Sequence, residues 1–387
     1  MPKDHAFLSA SGSARWIACP PSAKLEAQFP EESTAYQEEG TLAHELCEIE
    51  AGIVLDIINP SDYLKKKQEI QKSSYYNQEM QECAENYAAF VMSVFEERKK
   101  TCPDAFIELE VRLDFSKYVK DGFGTGDCII ISDGQLEVID FKYGKGVKVE
   151  AADNSQMKLY ALGALAAYGD LYDFESVGMT ILQPRISMHP STDIIKIKDL
   201  ETWGSKVVKP AAKLALKGEG EFNPSEETCR FCRARGCCKA RADENLKLFE
   251  ESGDALLLTP DEAGEVLKMA KDIESWLKDL KEFVQATLLK GSPVKGWKLV
   301  EGKSVRKISD ELEAVRLLNE AGYPSEVLYE KKLLGITGLE SVVGKKRLAE
   351  VLADVIVKPK GSPSLAPDTD PRKEWVSEEQ TLEDFDK

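Results

Sequence analysis

The stretch Gly124-Thr125-Gly126-Asp127-Cys128-Ile129-Ile130-Ile131-Ser132-Asp133-Gly134-Gln135-Leu136-Glu137-Val138-Ile139-Asp140-Phe141-Lys142 decides how the rest of the chain is read. Residues 128–132 and 136–141 are apolar, β-branched-rich runs separated by Asp133-Gly134, a dipeptide that between such runs predicts a β-hairpin. Asp127 opens the first strand and Asp140 stands near the end of the second. Lys142 follows Asp140 by two residues, so the two side chains share a face. Two carboxylates and an ammonium so placed can hold a divalent cation beside a positive charge. A salt-bridged surface hairpin uses the same residues, and the hairpin alone leaves both readings open.

The flanks extend the unit on both sides. Residues 106–115 alternate, with Ile107, Leu109, Val111 and Leu113 set against Glu108, Glu110 and Arg112, which predicts a strand with one polar face. A long helix is expected over 76–100. Further upstream, Gly40-Thr41 opens a predicted helix on which His44 and Glu48, four apart, share a face. A lone histidine on a helix is structural unless carboxylates approach it from elsewhere. Downstream, Asp153 is expected to cap a helix carrying Gln156 and Tyr160 on one face, and a strand over 176–183 leads into Pro184-Arg185. The order helix, three strands, helix, strand describes an α/β (α+β) core with grouped strands.

A chain of 387 residues has room for two or three domains. A formal charge of −17 argues against a non-specific nucleic-acid coat, but not against a nuclease with an acidic site and a locally basic track. No apolar run is long enough to span a bilayer, and the start MPKDHAFLSA lacks a signal-peptide apolar region, which predicts a cytoplasmic protein with no membrane partner. In that compartment nine cysteines favour thiolate metal ligation over disulfides. Cys229, Cys232, Cys237 and Cys238 fall within ten residues and can present three or four thiolates to one metal centre. Their spacing leaves zinc and iron–sulfur both open. Cys19, taken alone, reads as a small buried hydrophobe.

The basic runs at 65–67 and 98–100 read as solvated faces. Residues 255–290 predict a long amphipathic helix. Residues 295–307 are basic around Trp297 and suit either a hairpin core or a clamp for single-stranded nucleic acid. Gly302-Lys303-Ser304 is not a P-loop, because Walker spacing requires glycine where Trp297 stands. Helices are expected near 311–321 and 345–357. Residues 362–387 turn Pro-, Ser- and acid-rich and predict a disordered tail, either solubilising or of the acidic, aromatic-tipped kind that recruits partners to single-strand-binding proteins.

Taken together, GTLAHELCE with His44, GTGD with Asp127, IDFK with Asp140 and Lys142, and Gln156-x3-Tyr160 resemble the RecB-like branch of the PD-(D/E)XK nuclease superfamily over residues 8–240. The cysteines resemble the iron-staple form of AddB and the CRISPR-associated RecB-like exonucleases, and the overall pattern resembles a family of phage-encoded RecB-like proteins. The resemblance implies a restriction-endonuclease-like core with helical additions, closed by a [4Fe–4S] staple on Cys19, Cys229, Cys232 and Cys238, with Cys237 the competitor for the last place. It implies Mg²⁺ or Mn²⁺ held by His44, Asp127, Asp140 and the Phe141 carbonyl. Lys142 would orient water or stabilise the transition state, and Glu48 or Glu110 would add a supporting carboxylate. Gln156, Tyr160 and Arg185 would contact DNA.

The implied activity is a metal-dependent DNA exonuclease for single strands or duplex ends in phage-type replication or recombination, working beside a helicase or single-strand-binding protein. Its rivals are a catalytically silent DNA-binding scaffold subunit and a zinc-ribbon interaction module. The domain expectation is a nuclease domain over 1–250, a mostly helical domain with a basic hairpin over 251–360, and an acidic tail over 361–387.

Overall fold

The apolar runs of the opening stretch form the central strands of a five-stranded sheet, buried on both faces. The computed structural model describes residues 6–30, 34–250, 259–300 and 311–321, with isolated positions between 336 and 352. Short helices α1 (Ser13–Ala18) and α2 (Ser22–Glu26) precede α3 (Ala35–Val54), α4 (Pro60–Ile70) and α5 (Gln78–Thr101). Strands β1 (Phe106–Asp114), β2 (Phe123–Ser132) and β3 (Gly134–Phe141) follow, then α6 (Ser155–Tyr168), β4 (Phe174–Leu182) and β5 (Ser191–Lys196). Helix α7 (Ile197–Trp203) continues through a π turn into α8 (Lys209–Lys217), and α9 (Glu226–Cys229), α10 (Lys239–Glu250), α11 (Pro260–Leu289) and α12 (Glu311–Glu320) complete the described elements. The chain divides into two units, Met1–Val294 and Lys295–Lys387, the second containing α12. Among the described residues no helix is long and apolar enough to cross a membrane.

Strand order is β1-β2-β3-β4-β5. The β1–β2, β2–β3 and β4–β5 pairs are antiparallel, and β3 and β4 are parallel with α6 as their crossover. The fold is mixed α/β. On one face, Cys128, Ile130, Ile139 and Phe141 pack against the inner sides of α3 and α5. On the other, Ile129, Ile131, Leu136 and Val138 pack with α6, α7, α8 and the N-terminal segment. Helices cover both faces, so the β2 run Cys128–Ile131 needs no polar alternation.

The single polar face expected for β1 is corrected. Ile107 and Leu109 pack on the α3/α5 side, whereas Val111 and Leu113 belong to the core on the α6 side. The change occurs at Glu110, whose φ of +48° is left-handed and reverses the alternation. Leu109 pairs with Cys128 and Val111 with Gly126, so Glu110 stands across from Asp127. β2 changes face at the same level: Gly126 lies against Leu113 and Tyr160, while Cys128 joins the opposite core.

Other local expectations also shift. Helix α3 begins upstream of Gly40, because Thr34 and Gln37 form a capping box there. Asn154, not Asp153, caps α6, accepting from the backbone amides of Gln156 and Met157; Asp153 instead pairs with Lys158 at 2.7 Å. Leu8, before α1, and Trp16, within it, join the core, and the Trp16 indole N–H donates to the Ser9 carbonyl. The expected tail, residues 301–307 of the basic stretch and most of 345–357 lie outside the described residues.

The glycines of GTGD have a packing role. A Cβ on Gly124 would stand 2.7 Å from Tyr160 Cε1 and 3.5 Å from Ala10 Cβ, and the Tyr160 ring is buried. Gly124→Ala is therefore expected to destabilise the fold by about 1–3 kcal/mol through overpacking. Urea denaturation measures the loss, and an unchanged midpoint would contradict this packing.

Candidate metal centre

Where β1 and β2 change face, three elements bring metal-binding atoms together. Donor atoms of His44 from α3, Glu110 from β1 and Asp127 from β2 all lie within 4.8 Å of one another. Asp127 is tied on both sides: one oxygen is 3.3 Å from His44 Nδ1, and the other accepts the Phe141 backbone amide at 2.7 Å. The His44 ring meets Phe141 edge-on, with centroids 5.7 Å apart. One imidazole and two carboxylates suit Mg²⁺ or Mn²⁺.

Beside this triad sits a second group. Asp140, 2% exposed, has one oxygen 2.9 Å from Lys142 Nζ. Its other oxygen accepts from Gln156 Nε2 at 3.2 Å. Lys142 Nζ donates to Gln156 Oε1 at 3.2 Å, and Gln156 Nε2 also donates to the Tyr160 hydroxyl at 3.1 Å. The Lys142 backbone amide is fixed by the Leu182 carbonyl on β4.

The charges are strongly coupled. Burial opposes the imidazolium of His44, but Asp127, helped by Asp140, outweighs it and pushes the pKa up to about 9. Burial also opposes ionisation of Asp127, yet His44, Lys142 and the Phe141 amide hold its pKa below the usual carboxylate value. For Asp140 burial wins, reinforced by Asp127 and opposed by Lys142, so its pKa rises. Lys142 loses by burial and gains more from Asp140 and Asp127, which keeps it protonated. Although Glu110 stays partly open to solvent, desolvation and then the Asp127 charge push its pKa up to about 7, against the pull of His44.

The structure thus gathers His44, Asp127, Asp140, Lys142, Gln156 and Tyr160, and it moves Glu110 from a supporting place to one beside His44 and Asp127. Alternation grouped Glu110 with Glu108 and Arg112, and a left-handed glutamate carries no glycine-like signal that could have marked the turn. Glu48 lies one helical turn beyond His44 and pairs with Lys66 at 3.2 Å. Arg185 is engaged away from the triad: its guanidinium pairs with Glu39 and Glu79, each at 3.2 Å, and stacks on Tyr143. A further group, Cys102, Asp104 and Asp133, has its donors equally close; the Cys102 thiol donates to Asp104 at 3.0 Å.

Cys19, Cys229, Cys232 and Cys238 line one cavity, floored by Leu25 and Phe222 among others. Of the adjacent pair, Cys238 faces this cavity, while Cys237 is exposed and does not line it. Four thiols from two distant segments are a donor set suited to a cluster. The same segments are joined by Glu26, which accepts from Arg15 Nε at 2.7 Å and from the Arg233 amide at 2.8 Å. Arg241, buried, anchors the region to α11 through Asp279 at 2.5 Å.

The chain belongs to the DUF2800 family, described as proteins of unknown function; residues 5–373 match the family model. Among solved structures, a "Putative exonuclease" from Eubacterium rectale is 13% identical, the alignment covering 67% of this chain and 91% of that one, with a TM-score of 0.31. A crystal structure of SSO0001 is 15% identical over 59% of this chain and 96% of that one, with a TM-score of 0.23.

Coordination requires His44 neutral and Glu110 ionised, whereas the metal-free site holds His44 protonated up to about pH 9 and Glu110 up to about pH 7. Mn²⁺ affinity should therefore rise with pH across 7–9, by up to roughly tenfold per unit for each proton displaced. Calorimetric titration at several pH values checks this, and a pH-independent affinity would contradict it.

Proposed function

We propose that this DUF2800 protein is a divalent-metal-dependent deoxyribonuclease acting on single strands or duplex ends. One observation carries the reading: a triad of metal donors, His44, Glu110 and Asp127, lies beside a buried carboxylate, Asp140, paired with the half-buried ammonium of Lys142. A purely structural hairpin has no need for an ammonium kept charged inside the protein next to a histidine–carboxylate site.

In this reading Asp127 and His44 form the fixed side of the metal site, Glu110 and Asp140 add carboxylates, and the Phe141 carbonyl adds a neutral oxygen. Bound Mg²⁺ or Mn²⁺ would supply a water of lowered pKa and neutralise charge on the scissile phosphate. The chain supplies the rest. Lys142 presents a positive charge set in advance, which stabilises negative charge as it builds on the phosphate. The Phe141 amide keeps Asp127 from rotating away. The exonuclease preference for single strands or ends, and a place in phage-type replication or recombination, follow from the motif resemblance.

The cysteine cavity is read as the seat of a structural [4Fe–4S] cluster. Tying Cys19 to residues some two hundred positions later would close a very long loop and restrict the unfolded chain strongly. Glu26 bridges the same two segments, so the thiols would be brought near one another before a cluster is loaded.

Two variants test the reading. Asp140→Ala should lower Mn²⁺-dependent cleavage of end-labelled DNA by at least about a hundredfold, with oligonucleotide binding in Ca²⁺ retained; full activity would overturn the assignment. Cys229→Ala, purified anaerobically, should lose the brown absorbance near about 400 nm and much thermal stability while still binding Mn²⁺. A stable protein of undiminished colour would remove the cluster.

A further inference from the structure

Gln156 is the meeting point of the second group, and its hydrogen-bonding capacity decides what it can do. A carboxamide has two N–H donors and one carbonyl acceptor with two lone pairs. Both donors of Gln156 are used, one on Asp140 Oδ1 at 3.2 Å and one on the Tyr160 hydroxyl at 3.1 Å. Its oxygen accepts from Lys142 Nζ at 3.2 Å. The reversed amide would aim an NH₂ at an ammonium and an oxygen at a carboxylate, so the charges on both sides enforce the orientation seen. What remains is one acceptor lone pair. Phosphate oxygens are themselves acceptors, and Gln156 has no donor left to offer them.

We infer that Gln156 is a positioning residue for the Asp140–Lys142 pair rather than a contact to the nucleic-acid strand, and that Tyr160 anchors it. The inference rests on the nuclease reading for its catalytic consequence. Lys142 has four rotatable bonds, and its ammonium lies against Asp140, 2.9 Å from one carboxylate oxygen and 3.3 Å from the other. The Gln156 oxygen adds a contact from the helix side that fixes where on Asp140 the ammonium sits, while the Gln156 amide orients the Asp140 carboxylate. Neither end of this brace is loose. Gln156 sits in the first turn of α6, where its backbone amide is held by the Asn154 side chain at 3.0 Å. Tyr160, one turn further on, is buried with its ring against Gly124 and Gly126, so its hydroxyl is a fixed post. Two catalytic groups on a strand are thus aligned by one amide on the helix packed beside it, a preorganisation that needs no rearrangement when substrate arrives.

The test uses Gln156→Leu and Tyr160→Phe in the full chain, the latter keeping the ring in its place against the glycines. Three quantities are read: Mn²⁺ affinity by electron paramagnetic resonance, affinity for a single-stranded oligonucleotide in Ca²⁺, and the single-turnover cleavage rate at saturating DNA and Mn²⁺. A positioning role predicts that Gln156→Leu loses about 10–100-fold in rate and several-fold in Mn²⁺ affinity, with oligonucleotide affinity within about twofold. Tyr160→Phe should move the same quantities in the same direction by less. A tenfold weaker oligonucleotide affinity with unchanged Mn²⁺ affinity and saturated rate would overturn the inference and make Gln156 a strand contact. Unchanged values throughout would overturn it too. The Mn²⁺ titration needs no turnover, so a wild type that binds Mn²⁺ but cleaves nothing fells the nuclease reading alone and still decides the brace.

Discussion

The constraint on which the site depends is a carboxylate, Asp127, held out of bulk water at the point where two strands change face. An ion so placed is costly unless it is paired and hydrogen-bonded. Each neighbouring element supplies a partner: His44 from α3, the Phe141 amide from β3, and the charge of Lys142 beyond it. Removing any one leaves the others around an undercompensated charge. The same crowding raises Glu110 and Asp140, so the centre stores protons that a cation can displace.

That arrangement requires the helices over the sheet to hold station, and buried polar ties do this. Glu50, on α3 beyond His44, accepts from Lys67 on α4 and from Gln81 on α5, both at 2.8 Å. Arg98 of α5 pairs with Glu137 on β3. On the opposite face the Tyr160 ring, seated against glycine rather than a larger side chain, sets how closely α6 approaches β2. The cysteine cavity is lined from the chain's first described segment and from its later loops, so it lies between distant parts of the chain.

Much of this was legible in the sequence. The hairpin followed from two β-branched runs around Asp133-Gly134, and i,i+2 spacing alone put Asp140 and Lys142 on one face. His44 gained meaning only because the motif order placed it beside Asp127. What the sequence could not show has physical causes. Glu110 escapes alternation because a single left-handed residue reverses the faces of β1, and nothing in its identity signals that turn. The short strand Ser191–Lys196 is half-buried, and its two apolar residues, Ile194 and Ile195, are adjacent rather than alternating, so only its pairing with β4 defines it. The choice between Cys237 and Cys238 was invisible to spacing, since adjacent residues differ only in which way the backbone turns them.

The central claim is that the face change in β1 and β2 exists to gather a metal site. Anomalous diffraction at the manganese edge from crystals grown with Mn²⁺ tests it most directly. The account predicts a peak bonded by His44 and Asp127, with Glu110 or Asp140 completing the carboxylate set. Full occupancy elsewhere, at the Cys102–Asp104–Asp133 group for example, with His44 still paired to Asp127, would contradict it.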